Sequence, residues 1–128
     1  MIKGIEHVAV ASKDTFALKT WYEKVFGFKT VFDNGAGTYF VAAQDGSMIE
    51  IINAEKETPL PALSDSGIRH FALSVDAENF DKAVDAVKAE KVEILAEPLT
   101  LPNGVKTFFF RDIDGNIFHL ICRPAPLI

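Results

Sequence analysis

The chain has 128 residues, 48% of them hydrophobic, with eleven phenylalanines and a formal net charge of −5. That is enough apolar mass for one domain with a buried core, which excludes a disordered chain. The acidic balance, with no run of Lys or Arg, excludes a surface built to neutralise nucleic-acid phosphates or anionic lipid.

Cys122 is the single cysteine, so no disulfide closes within the chain and a reducing, cytoplasmic setting is expected, with Cys122 as a small buried hydrophobe. The opening "MIKGIEHVAVASKD" lacks the apolar stretch and cleavage site of an export signal, and nothing later approaches the ~20 apolar residues of a membrane span. A soluble protein that is not exported is expected.

The first element is a strand over residues 4–12. Asp14 is placed to cap a helix that runs to Phe26, where Gly27 can take the left-handed conformation that ends it. Leu18, Tyr22, Val25 and Phe26 share one face of that helix. Strands follow at 28–33, 38–43 and 47–53, separated by the turn sequences "DNGAG" and "QDG". A polar, proline-bearing linker over 54–66 leads to a fifth strand at 67–75. From Asp76 a helix carries Phe80, Ala83, Val84 and Val87 on one face, and strands follow near 92–96, 106–111 and 116–122. The order βαβββ occurs twice, in modules at about 1–53 and 67–123 of one domain covering 1–128, an α+β fold.

The two modules match in detail. "GIEHVAV" at 4–10 and "GIRHFAL" at 67–73 share glycine, isoleucine and histidine in the same places, while "DGSMIEII" at 45–52 aligns with "DGNIFHLI" at 114–121. His7 and His70 are thereby equivalent, as are Glu50 and His119. All three histidines of the chain fall on equivalent positions of the repeat, and the fourth such position is a carboxylate.

Strand alternation puts His7 with Ala9 and Ala11, and His70 with Ala72 and Ser74, opposite bulkier aliphatic side chains that can pack on the helices. Small neighbours leave room beside each imidazole. Glu50 lies among Met48 and Ile52, and His119 among Ile117 and Ile121. An ionisable group in such company must be paired, hydrogen-bonded or metal-bound, since burying it alone costs several kcal/mol. One histidine of this kind is as well explained by a hydrogen-bonded core. Three with a glutamate, related by a repeat, suit a divalent transition metal with one or two coordination positions left open for substrate.

The repeated βαβββ unit, with "WYEKVFGFK" on the first helix, "GIRHFALSVD" opening the second half and "RDIDGNIFHL" closing it, resembles the vicinal oxygen chelate superfamily over essentially the whole chain. Within it, "WYEKVFGFK" and "HFALSVD" are most similar to glyoxalase I and its lactoylglutathione-lyase-like relatives. The resemblance implies a curved, half-open mixed-sheet cup with the helices outside, and one divalent metal ion (Ni, Zn, Co, Mn or Fe) held by His7, Glu50, His70 and His119. It also implies a small-molecule substrate with two neighbouring oxygens, and a homodimer whose cups lie within one chain or are shared between two.

The implied chemistry is that of a lyase or isomerase: proton transfer beside a metal-chelated carbonyl, with Glu50 or His119 as the catalytic base. One departure stands out. The family phrase ends "DPDGNxxEL", with glutamate as last ligand, where this chain has His119. The substitution lowers the ligand charge by one and makes the metal more electrophilic.

Two other classes compete. An Fe(II) dioxygenase would use a two-histidine, one-carboxylate set from His7, His70 and Glu50, with His119 in surplus. A metal-free antibiotic-binding protein has no use for ionisable groups at these places. The basic residues Lys106, Arg111 and Arg123 read as solvated strand ends and no glutathione site is evident. "NGAGT" reads as a turn because no helix follows it, and Asp112 to Asn116 read as a tight turn and not a calcium loop. Phe108, Phe109 and Phe110 read as a strand covered on both faces. Tyr39, Phe109 and Met48 are read as lining the cup or as core.

Overall fold

A computed structural model describes residues 1–128. The chain divides into two compact units, Met1–Thr58 and Pro59–Ile128. The first holds β1 (His7–Ser12), α1 (Thr15–Phe26), β2 (Lys29–Asp33), β3 (Tyr39–Ala42) and β4 (Met48–Asn53); the second holds β5 (Phe71–Ser74), α2 (Phe80–Lys88), β6 (Ile94–Thr100), β7 (Lys106–Arg111) and β8 (Ile117–Cys122). Each has a four-stranded sheet, in the orders β1-β4-β3-β2 and β5-β8-β7-β6. Both are mixed: β1 with β4 and β5 with β8 run parallel, and the remaining pairs are antiparallel. The α+β class and the two repeated, open modules are as expected.

α1 starts where Asp14 accepts a hydrogen bond from the Ala17 N–H at 3.0 Å, and it stops at Gly27, whose φ of 70° is the left-handed conformation that glycine adopts without strain. Leu18 and Tyr22 are fully buried by it against β3 and β4, along with Val41 and Ile51. In the second unit Phe80, Val84 and Val87 of α2 close over Phe108, Phe110, Phe118 and Leu120. Phe108, Phe110 and Phe118 form a run of near-parallel rings. Each helix covers one face of its sheet, and along β1 the uncovered face carries exposed Ala9 and Ala11.

Several local outcomes differ from the expected elements. β1 and β5 begin at His7 and Phe71, later than the expected 4 and 67, because the parallel ladder with β4 and β8 starts there. Ile5 and Ile68, equivalent in the repeat, lie outside the strands and are exposed. α2 is preceded by a 3-10 turn at Ala77–Asn79, with no side-chain cap from Asp76. β6 extends to Thr100 through Pro98, which an edge strand tolerates because one side of its backbone has no partner to bond; its pairing with β7 slips on both sides of Ala96.

Arg111 is not a solvated end. Its guanidinium donates to Gly115 O at 2.8 Å and Pro61 O at 3.2 Å and pairs with Glu93 at 3.1 Å. Asp112 is buried and accepts from the Asp114 and Asn116 backbones and from the Asn116 amide, the tight turn that the sequence indicated. Asn34 Oδ1 likewise closes the "NGAGT" turn by accepting from Ala36 and Thr38. Cys122 is buried. No helix is long and apolar enough to cross a membrane.

The core predicts its own energetics. Leu18→Ala, which empties a fully buried site, is expected to lower unfolding stability by about 2–5 kcal/mol. Val31→Ala, at a half-exposed position, should change it by less than about 0.5 kcal/mol in the same urea titration.

Candidate metal centre

The four expected ligands form two pairs, one in each unit, and the same piece of β-geometry builds both. In the first unit the parallel register sets Ala9 opposite Glu50, so that His7, two residues earlier on the same face, is the diagonal neighbour of Glu50. In the second, Ala72 stands opposite His119, and His70 is two residues before Ala72. The alanine between the two ligands has no side chain large enough to separate them.

His7 Nε2 lies 3.6 Å from Glu50 Oε1, and the His70 and His119 rings are centred 4.5 Å apart. Neither unit gathers three or more His, Cys, Asp or Glu side chains into one cluster.

An aromatic ring backs each pair. Phe40 lies opposite Glu50 on β3 and meets the His7 ring edge-on at 5.0 Å; Phe109 lies opposite His119 on β7 and meets His70 edge-on at 5.6 Å. Phe109 also packs on His119 at 4.4 Å. These rings restrict the imidazoles and give them an apolar wall. Phe40 and Phe109 precede Glu50 and His119 by the same number of residues, a signal present in the repeat that the reading of ionisable groups passed over. Of the other candidate lining residues, Met48 lies on the Glu50 face, but Tyr39 pairs with Ile51 on the helix side, where Lys19 of α1 lies 5.5 Å above its ring.

Local polar groups orient the histidines. Glu6 Oε2 lies 3.1 Å from His7 Nδ1. With the proton on Nδ1 donated to Glu6, Nε2 presents its lone pair towards Glu50, the arrangement that fixes a ligand histidine by its outer nitrogen. Glu6 was not singled out from the sequence; its only mark there is to precede His7. His70, just ahead of β5, is carried on a segment braced by Arg69, whose guanidinium donates to the carbonyls of Ala62, Ser66 and Gly67.

These donors fit a divalent cation. An imidazole nitrogen and a carboxylate oxygen 3.6 Å apart can both reach a cation at bond lengths of about 2.1 Å. His119 is 7% exposed and its Nδ1 has no hydrogen-bond partner, a buried polar atom that the protein alone leaves unsatisfied. Burial first, then the charges of His70 and Arg123, lower its pKa from 6.5 to about 4, so its ring is neutral and free to coordinate near pH 7.

The chain belongs to the glyoxalase/bleomycin resistance protein/dioxygenase superfamily, whose model matches residues 4–120. It is 34% identical to the uncharacterized protein YwbC of Bacillus subtilis (strain 168), over 96% of this chain and 100% of that one. It is 24% identical to the fosfomycin resistance protein FosX of Listeria innocua, over 94% of this chain and 90% of the relative. Among solved structures, FosX from Listeria monocytogenes complexed with Mn(II) and sulfate superposes with a TM-score of 0.77 at 21% identity, covering 98% of this chain and 94% of that one, a likeness of fold.

The lowered pKa of His119 makes metal-free stability depend on pH. Between pH 4 and 6.5 the unfolded chain binds a proton at this residue that the folded chain does not, so the contribution of His119 to stability rises with pH across that window and is constant on either side. The span is at most about 3 kcal/mol. Denaturant titrations of metal-free protein should show this slope, and His119→Gln should remove most of it.

Proposed function

We propose that the protein is a metal-dependent enzyme of the glyoxalase type, acting by proton transfer beside a chelated carbonyl of a small substrate with two neighbouring oxygens. The cofactor is one divalent metal ion. The observation that carries this reading is the twice-built diagonal pair, His7 with Glu50 and His70 with His119, each backed by a phenylalanine.

His7, Glu50, His70 and His119 are the ligands this reading proposes, with a homodimer as the proposed assembly. A cytoplasmic location belongs to the same reading. Bound there, the metal supplies a Lewis acid for the substrate oxygens.

The residues divide the remaining work. His7, oriented by Glu6, and His70, held by the segment that Arg69 braces, keep their rings in place. His119, buried and neutral, serves as a fixed donor and is a weak base. Glu50, with a side chain 24% exposed, is reachable by substrate and is the group that takes a proton from the carbon beside the carbonyl and returns it to the neighbouring position. Met48 and Phe40, on the same face of their sheet as Glu50, give that proton an apolar surrounding.

A second reading is favoured by the fosfomycin resistance relatives, which match over nearly the full chain. In it the same residues act on fosfomycin. Turnover separates the two: solvent deuterium entering a 2-hydroxy ketone or a 2-oxoaldehyde hemithioacetal supports the first, and loss of fosfomycin without such exchange supports the second. Metal content of the purified protein tests the cofactor, since iron as the bound metal would favour oxygenase chemistry and no metal a binding protein.

Two expected outcomes follow from the roles. Glu50→Gln should lower kcat by about 10²–10⁴-fold, measured at saturating metal. Glu6→Ala, which frees His7 Nδ1, should weaken metal binding about tenfold by calorimetry while leaving the fold intact.

A further inference from the structure

The two modules hold their first histidine in different ways. His7 is a member of the β1–β4 ladder, and Glu6 beside it bonds its Nδ1. His70 is exposed and stands one residue before the β5–β8 ladder, which begins at Phe71, so sheet pairing does not fix its backbone. The residue ahead of it, equivalent to Glu6 in the repeat, is Arg69, and that guanidinium is taken up by the carbonyls of Ala62, Ser66 and Gly67. Ser66 and Gly67 are near neighbours in sequence. The bond that ties Arg69 to the linker further back is the one to Ala62 O, at 3.0 Å.

Ala62 is itself held. Its N–H donates to the Asp65 carboxylate at 2.7 Å, and the Asp65 N–H donates back to Ala62 O at 3.2 Å. The preceding carbonyl, Pro61 O, accepts from Arg111 Nη2 at 3.2 Å, and Leu60 lies directly over Gly115, in the space a side chain there would take. Arg111, with its side chain 15% exposed, is fixed in turn by Gly115 O at 2.8 Å and by Glu93 at 3.1 Å. A continuous series of contacts thus runs from Arg111 on β7, through Pro61 and Ala62 of the linker, to Arg69 and the histidine beside it. Arginine suits the head of this series, because its rigid planar fork reaches three acceptors in fixed directions, as an ammonium on a flexible stem does not.

We propose that Arg111 is a positioning residue for His70, acting through the linker carbonyl of Pro61 and through Arg69. The linker then does more than join the modules: its attachment to β7 sets where the first histidine of the second module stands. The bearing of this on catalysis rests on the reading of His70 as a metal ligand; the placement of the ring does not.

The test reads His70 directly in the full-length, metal-free chain. Three histidines give three sets of imidazole signals by NMR, and the edge-on contacts of His70 with Phe109 at 5.6 Å and of His7 with Phe40 at 5.0 Å give two of them a reporter cross-peak. R111Q, R111K and R69Q should each shift the His70 signal and lose the His70–Phe109 cross-peak, with the His7–Phe40 cross-peak intact. Titrated with zinc alone, the same variants should bind it about tenfold more weakly by calorimetry. R69Q and R111Q together should do no more than the larger single change, because both break one series. L60A, at an exposed position that the fold does not need, should weaken the His70–Phe109 cross-peak. V84A, which empties a buried site in α2 of the same unit, should lower stability and leave the His70 signals in place.

Unchanged His70 signals in R111Q would overturn the proposal. So would an equal change in V84A, parent-like signals in R111K, or effects of R69Q and R111Q that add. Where R111Q does not fold, L60A decides in the same way. Should the His70 changes appear as expected in a chain that binds no zinc, the positioning stands and the metal-centred function falls, so the two failures are distinguishable.

Discussion

The parallel pairing of the first strand of each unit with its last strand is the constraint on which the site depends. A parallel ladder fixes which residues face each other and on which face they project, and a slip by one residue would turn every side chain to the opposite face. Because Ala9 faces Glu50 and Ala72 faces His119, His7 on β1 and His70 just ahead of β5 each meet their partner across one small side chain. Buried isoleucine, phenylalanine and leucine on the opposite face of β4 and β8 hold that register, since a slip would bring them out of the core. The hydrophobic core and the chemistry of the open face are therefore set by one alignment of strands.

The repeat made much of this legible in advance. Matching glycine, isoleucine and histidine at the head of each module, and "DG" turns before each last strand, singled out the four positions that the structure brings together as two pairs. α1 was legible to the residue because Asp14 and Gly27 act locally, through a capping hydrogen bond and a left-handed turn. β6 was the least legible element. Pro98 argues against a strand, and only its place at the edge of the sheet makes one possible.

The chemistry was less legible than the topology where it depended on the far side of the chain. Arg111 looked like any basic residue at a strand end, yet it binds the Pro61 carbonyl and the Glu93 carboxylate, neither of which sequence proximity indicates. Tyr39 suited the open face and the core equally, and only the pairing with Ile51 places it under α1. Glu6 and Phe40 gained meaning from distances to His7.

The two members of each donor pair come from unlike places in their sheets. Glu50 and His119 sit on β4 and β8, interior strands bonded on both sides, whereas His7 opens an edge strand and His70 precedes one. Backbone at a sheet margin opens at lower free energy than backbone in the middle. Each pair thus joins a side chain on an interior strand, bonded on both sides, to one at a sheet margin where the backbone opens more readily.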